Sequence, residues 1–126
     1  IKGSFGSKDL SDSDLKKIYN NSRLVLLPLK KSFQPSGQSV ALQAMSCNRS
    51  VIISKTDGFW DPYNFSNNRD IFFVEENNLE GWASVIEKVY YDDSLISKVE
   101  NSGNNLVADV YNLNEFQRKL SKILKL

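Results

Sequence analysis

Residues 23–54 read RLVLLPLKKSFQPSGQSVALQAMSCNRSVIIS. Two apolar runs, RLVLLPL (23–29) and SVIIS (50–54), flank SVALQAMSC (39–47), whose Ala, Leu and Met content favours a buried helix. Neither run alternates polar with apolar residues, as half-exposed strands do. Near-continuous apolar strands belong to parallel sheets covered by helices on both faces. Pro28 marks the end of the first run, and KKSFQPSGQ (30–38) is a polar loop punctuated by Pro35 and Gly37. Asn48 suits the left-handed position that closes a helix. The stretch therefore reads as strand, helix, strand, and predicts an α/β fold.

The same alternation extends in both directions. Upstream, LSDSDLKKIYNNS (10–22) predicts a short amphipathic helix: Ser11 and Ser13 are cap candidates, Asp12 and Asp14 suit the positive helix start, and Leu15, Ile18 and Tyr19 share a face. IKGSF (1–5) is strand-like. Downstream, IFFVE (71–75) is a further buried-type strand, separated from SVIIS by the irregular TDGFWDPYNFSNNRD (56–70). A loop of that length is expected to be functional or mobile. From Leu79, Trp82, Val85, Ile86, Val89 and Tyr90 keep helical spacing. Residues 93–110 read as helix despite Gly103, and a last helix from Leu113 to Leu126 carries Leu113, Phe116, Leu120, Ile123 and Leu124 on one stripe. Its Arg118, Lys119, Lys122 and Lys125 read as a solvated basic face. The expected architecture is one domain over 1–126, a partial Rossmann-like parallel sheet of about four strands flanked by helices.

Composition narrows the chemistry. With 126 residues, 40% of them hydrophobic, the chain can bury one core. A net charge of +1 gives no global field toward nucleic acid, so any anion site must be local. The absence of histidine excludes imidazole acid-base catalysis, His-based nucleophile systems and His metal ligands. Cys47 has no internal partner for a disulfide, which points to a cytoplasmic setting and makes the sequons at Asn20, Asn48 and Asn64 by-products of an Asn-rich sequence. No apolar run reaches the roughly 20 residues that cross a bilayer. Beginning at Ile1, directly in a strand-like segment, the sequence reads as a piece of a longer protein.

Ligands of open α/β sheets bind beyond the carboxyl ends of the strands, which singles out the loops after Leu29 and after Ser54. In the first, QPSGQ leads straight into a helix start, where free backbone N–H groups and the positive dipole end favour an anion. Gly37 permits close approach, and Ser36 and Ser39 add hydroxyls. If the helix starts near Gln38, Ser39 and Gln43 share a face four residues apart, so a diphosphate at the tip places ribose hydroxyls within reach of Gln43. The plainer reading is a turn with a serine cap. In the second loop, Gly58 can admit a phosphate or sugar and Trp60 can stack on a ring or simply cover the loop. Asp57 and Asp61 read as solvated loop carboxylates rather than an acid-base pair.

Taken together, LSDSDLKKIYNNSRLVLLPL, QPSGQSVALQAMSCNRSVIIS, TDGFW and RDIFFVEENNLEGWASVIEKVYYD resemble the C-terminal half of the nucleotide-sugar-binding domain of family 4 (group 1) retaining glycosyltransferases of GT-B fold. The specific part is SGQSVALQAMSC followed by a strand, similar to the family's motif of two glutamates eight apart. Gln43 stands where the family has its ribose-binding glutamate, and Pro35 where it has the sugar-contacting one, leaving Gln34 as the nearest candidate. Asn48 and Ser50 replace the family's helix-ending Gly and following Pro, and Gly58 matches its glycine after the next strand. The resemblance implies a UDP- or GDP-sugar donor, hexosyl transfer without a metal or other cofactor, and a second, acceptor-binding domain. It assigns Ser36, Gly37, Gln38 and Ser39 to the phosphates, Gln43 to ribose, and Gln34 with Gly58 to the sugar, with no catalytic residue in this segment. The segment alone is expected to be inactive, with an exposed sheet edge that favours self-association, and its parent can be peripheral to a membrane. Two alternatives share the scaffold: a nucleotide-sugar epimerase, and a non-catalytic binding or assembly module.

Overall fold

The computed structural model describes residues 10–126. The strand expected at IKGSF lies outside the described residues. Among those described, the chain runs α1 (Asp12–Asn20), β1 (Val25–Leu27), α2 (Gln38–Ser46), β2 (Val51–Ser54), β3 (Phe72–Val74), α3 (Leu79–Tyr90), α4 (Asp93–Val110) and α5 (Leu113–Leu124). The sheet has three strands here in the order β1-β2-β3, all parallel, with Val25 opposite Val51 and Ile52 opposite Phe72. This is the α/β class with a Rossmann-like parallel sheet.

Strand periodicity divides the core in two. On one face Val51, Ile53, Ile71 and Phe73 pack with Tyr19 of α1 and with Ala41, Ala44 and Met45 of α2. On the other, Ile52, Phe72 and Val74 pack with Val89 of α3 and with Ile96 and Val99 of α4. The central strand β2 is buried throughout. β1 departs from the expectation of a strand covered on both faces, because Leu26 stays 44% exposed. Its side of the sheet is covered by α3 and α4 over β2 and β3, and β1 is one of the two edge strands among the described residues.

Caps define the helix limits. Ser11, Asn78, Asp92 and Asn112 each accept a bond from a backbone N–H in the first turn of α1, α3, α4 and α5. Asn48, at φ 56°, closes α2 in the left-handed conformation its sequence suggests, with Arg49 N–H donating back to Ala44 O. α4 passes beneath the strand starts. Ser50 Oγ donates to Ile96 O at 3.3 Å, Ser102 Oγ to Asp70 Oδ1 at 2.7 Å and Asn104 Nδ2 to Met45 O at 3.1 Å. Closing that end leaves loops 28–37 and 75–78 and the beginning of loop 55–71 at the opposite, C-terminal rim, from which loop 55–71 runs back past Asp70 to the start of β3.

The long loop 55–71 is built around an aromatic cluster, with Tyr63 left exposed. Phe59 meets Phe65 and Phe73 edge-on at 5.4 and 5.0 Å, and Trp60 lies 4.1 Å from Phe59. Trp60 thus covers the loop. Asp61 accepts bonds from Tyr111 Oη and from Asn64, at 2.7 Å for the latter, which makes it a tie between the loop and the end of α4.

Candidate functional site

The start of α2 sits on the C-terminal rim. Gly37 is its N-cap at φ 76°, a left-handed conformation that side-chain-bearing residues rarely adopt. A Cβ there would lie 3.2 Å from Leu29 Cδ1 and 3.4 Å from Ile53 Cδ1, so the tip rests directly on the ends of β1 and β2. Because glycine carries no side chain, the helix has no side-chain cap. The serine cap of the plainer reading does not form. Ala41 N–H reaches back to Gly37 O, but the amides of Gln38, Ser39 and Val40 have no acceptor among the described residues. No acidic residue occupies the first turn. Exposed donors at a positive dipole end attract an anion, and Ser36 and Ser39 are exposed beside them.

Gln34 and Gly58 come together through the main chain. Gly58 N–H donates to Ser32 O at 3.0 Å, and Ser32 Oγ accepts from Gln34 N–H at 2.9 Å. A Cβ on Gly58 would stand 2.5 Å from the Phe33 carbonyl carbon and 2.7 Å from Gln34 O. The glycine is therefore buried between two rim loops, and its own amide is already spent on Ser32. Its visible task is to let loop 55–71 touch loop 28–37, whereas the Gln34 side chain remains exposed.

Gln43 lies on the α1-facing side of α2. Its Oε1 accepts from Tyr19 Oη at 3.2 Å, and it lines a groove of about 410 Å³ with Asp12, Leu15, Lys16, Tyr19 and Ser46. Burial first, and the neighbouring Cys47 second, raise the Tyr19 pKa above its ordinary value, so the phenol stays a proton donor to Gln43. Ser39 is one turn nearer the tip on the same side.

The rim also holds residues that the sequence did not single out. Ser54, fully buried at the end of β2, accepts from Leu29 N–H at 2.9 Å and donates to Asn77 Oδ1 at 2.8 Å. Asn77 Nδ2 donates to Leu29 O at 2.7 Å, and Trp82 Nε1 donates to Asn77 Oδ1 at 2.9 Å. This network fixes both polar groups of the Leu29 backbone, and the Leu29 side chain supports Gly37. A polar residue closing an apolar strand was its one available sign. Beside it lies a cavity of about 280 Å³ lined by Lys31, Lys55, Thr56, Asp57, Glu75 and Asn77. Lys55 pairs with Glu75 at 2.9 Å. Among the described residues no three His, Cys, Asp or Glu side chains cluster as metal ligands.

No family model matches the sequence, and a search of curated proteins finds no match. Solved structures do match. HepE (Alr3699) of Anabaena, crystallised with UDP and glucose, is 15% identical over 90% of this chain and 30% of that one, with a TM-score of 0.71. A glycosyltransferase from Rickettsia africae is 24% identical over 90% of this chain and 29% of that one, also with a TM-score of 0.71. The chain thus has the fold of a segment of glycosyltransferase structures, and spans less than a third of the length of either.

Proposed function

We propose that the chain is the second half of the donor-binding domain of a retaining, GT-B-type glycosyltransferase that moves a hexose from a UDP- or GDP-sugar to an acceptor held by another domain. One observation carries this reading: the Gln38, Ser39 and Val40 amides of α2 have no acceptor among the described residues, and no acidic residue occupies the first turn, at the rim where α/β sheets bind nucleotides. The amides of Gln38, Ser39 and Val40, with the hydroxyls of Ser36 and Ser39, hold the diphosphate and stabilise the charge that grows on it as the sugar departs. Gln43 takes a ribose hydroxyl, exchanging its bond with Tyr19 for one with the ligand. Gln34, brought to the rim beside Gly58, faces the sugar. Transfer needs no metal in this scheme, and the acceptor domain completes the site, so the segment alone has no turnover. The setting we infer is cytoplasmic.

UDP and UDP-glucose titrated at millimolar concentration into the isotopically labelled chain test the reading. The amide signals of Gly37, Gln38 and Ser39 are expected to shift most, with Gln43 side-chain signals following. Titrations that leave them unmoved, or that perturb residues elsewhere instead, overturn the assignment. The occupied Gln43 acceptor favours the non-catalytic module as a second reading. Sugar transfer by the longer parent protein would eliminate that module, and analysis of its products would separate transfer from epimerisation.

A further inference from the structure

The ladder between β1 and β2 stops at Leu27 and Ile53, and Pro28, which follows, has no N–H to extend it. Leu29 therefore lies beyond the ladder with a backbone donor and an acceptor still to satisfy. Two side chains satisfy them in a closed ring. Leu29 N–H donates to Ser54 Oγ at 2.9 Å, Ser54 Oγ donates to Asn77 Oδ1 at 2.8 Å, and Asn77 Nδ2 donates to Leu29 O at 2.7 Å. Trp82 Nε1 donates to the same Asn77 oxygen at 2.9 Å. All the bonds of the ring run in one direction, and a carboxamide supplies both the acceptor and the donor that position 77 needs. The ring ties the ends of β1 and β2 to the segment that leads into α3, three stretches far apart in the sequence.

We propose that Ser54 and Asn77 are positioning residues for the diphosphate site at the tip of α2, and that they act through Leu29. The path is short. Leu29 Cδ1 and Cδ2 lie 3.2 and 3.5 Å from where a Cβ on Gly37 would stand, so the side chain of the tethered residue is the floor beneath the left-handed Gly37. Gly37 O in turn accepts from Ala41 N–H at 2.9 Å, the bond that closes the turn containing Gln38, Ser39 and Val40. Ser54 is fully buried, whereas Asn77 lies at the surface, where water can satisfy a freed Leu29 carbonyl but cannot hold two strand ends together. Loss of the ring lets Leu29 move and lowers the fraction of molecules whose tip is ready for a diphosphate, and apparent binding weakens by that fraction. The ligand in this inference rests on the nucleotide reading above, but the tether does not.

Ser54→Ala and Asn77→Leu in the whole chain are the test, both uncharged so that no change in binding reflects a change in local field. Val99→Ala, in the core on the other face of the sheet, is the control. Without ligand, amide exchange at Ala41 should be roughly tenfold faster in either ring variant relative to Met45 and Phe72, and the Gly37 signal should shift. UDP should bind each ring variant roughly fivefold or more weakly than the unaltered chain. Val99→Ala should speed exchange at Ala41, Met45 and Phe72 alike and leave UDP affinity unchanged, as lost stability alone does. Ring variants that behave like Val99→Ala overturn the proposal, and so does a displaced tip that binds UDP with unaltered affinity. Because position 77 is exposed, Asn77→Leu decides the matter should Ser54→Ala not fold. If UDP moves no tip amide of the unaltered chain, the nucleotide reading falls by itself, and the tether stands or falls on the exchange at Ala41.

Discussion

Loops 28–37 and 55–71 leave the sheet at the same rim, yet they treat their polar groups differently. In the longer one, Asp61 and Asp70 each accept several hydrogen bonds, and Phe59, Trp60 and Phe65 are packed against one another. In the shorter one, Gln34, Pro35 and Ser36 stay exposed, and the three amides that follow it find no acceptor among the described residues. Length alone points to loop 55–71 as the functional one. Hydrogen-bond accounting points the other way: the Asp61 and Asp70 carboxylates of the longer loop are satisfied from within the protein, although its buried Trp60 Nε1 has no partner among the described residues, whereas the shorter loop ends in three backbone amides without an acceptor among them. The longer loop acts as a buttress, held against the shorter through Gly58 and Ser32.

The largest expected effect comes from breaking the buttress. Phe65 is 4% exposed among Phe59, Trp60 and Tyr111, and Phe65→Ala should cost about 3–5 kcal/mol of stability in urea unfolding, as large-to-small core changes do. A loss below about 1 kcal/mol would mean that the loop is not packed as described. The next effect tests the connection between the loops and the tip. Asn77→Ala removes the partner of Ser54, Leu29 O and Trp82 Nε1 together, and should cost about 1–3 kcal/mol. Its sharper readout is the amide spectrum, in which Leu29 and Gly37 should move while Phe65 and Asp70 do not. Shifts confined to α3 would separate Asn77 from the tip.

Much of this arrangement is legible in the amino-acid sequence. Continuous apolar runs marked β1, β2 and β3, Pro28 and Gly37 bounded the first connection, and Asn48 announced the end of α2. These are local signals, carried by a residue and its immediate neighbours. The features that were not legible depend on partners far apart in the chain: Ser54 with Asn77, Asn77 with Leu29, Tyr19 with Gln43, and Gly58 with Phe33. The exposure of Leu26 belongs with them, because a strand pattern states which residues are apolar but not how far the covering helices extend. Gly58 stands out in the sequence but its contact with Phe33 does not, since a glycine admits a neighbouring backbone as readily as a ligand.

The smallest effect is confined to acid. Burial alone would raise the pKa of Asp70, but hydrogen bonds from Arg69, Ser102 and the Ser66 amide outweigh it and hold the carboxyl below its ordinary value. Asp61 behaves alike: burial opposes, and bonds from Tyr111 and Asn64 prevail. A carboxyl with a lowered folded pKa binds its proton more readily in the unfolded chain. Its contribution is therefore complete above the unfolded value of about 4 and disappears as the pH falls through the folded one. Stability should be flat with respect to these two groups from neutral pH to about pH 5 and decline below about pH 4. Asp70→Asn should lower stability at neutral pH and flatten that decline, with Asp61 and the Arg118-bonded Glu115 contributing to the slope that remains. Tyr111 gives a second handle, because burial and the Asp61 carboxylate push its phenol well above the ordinary value and keep it a donor at neutral pH. If the buttress and the tip are separate in function, the emission of Trp60 should change across the acid limb before the amides of Gln38 and Ser39 do. Simultaneous changes would show that loop 55–71 governs the tip of α2 rather than merely standing beside it.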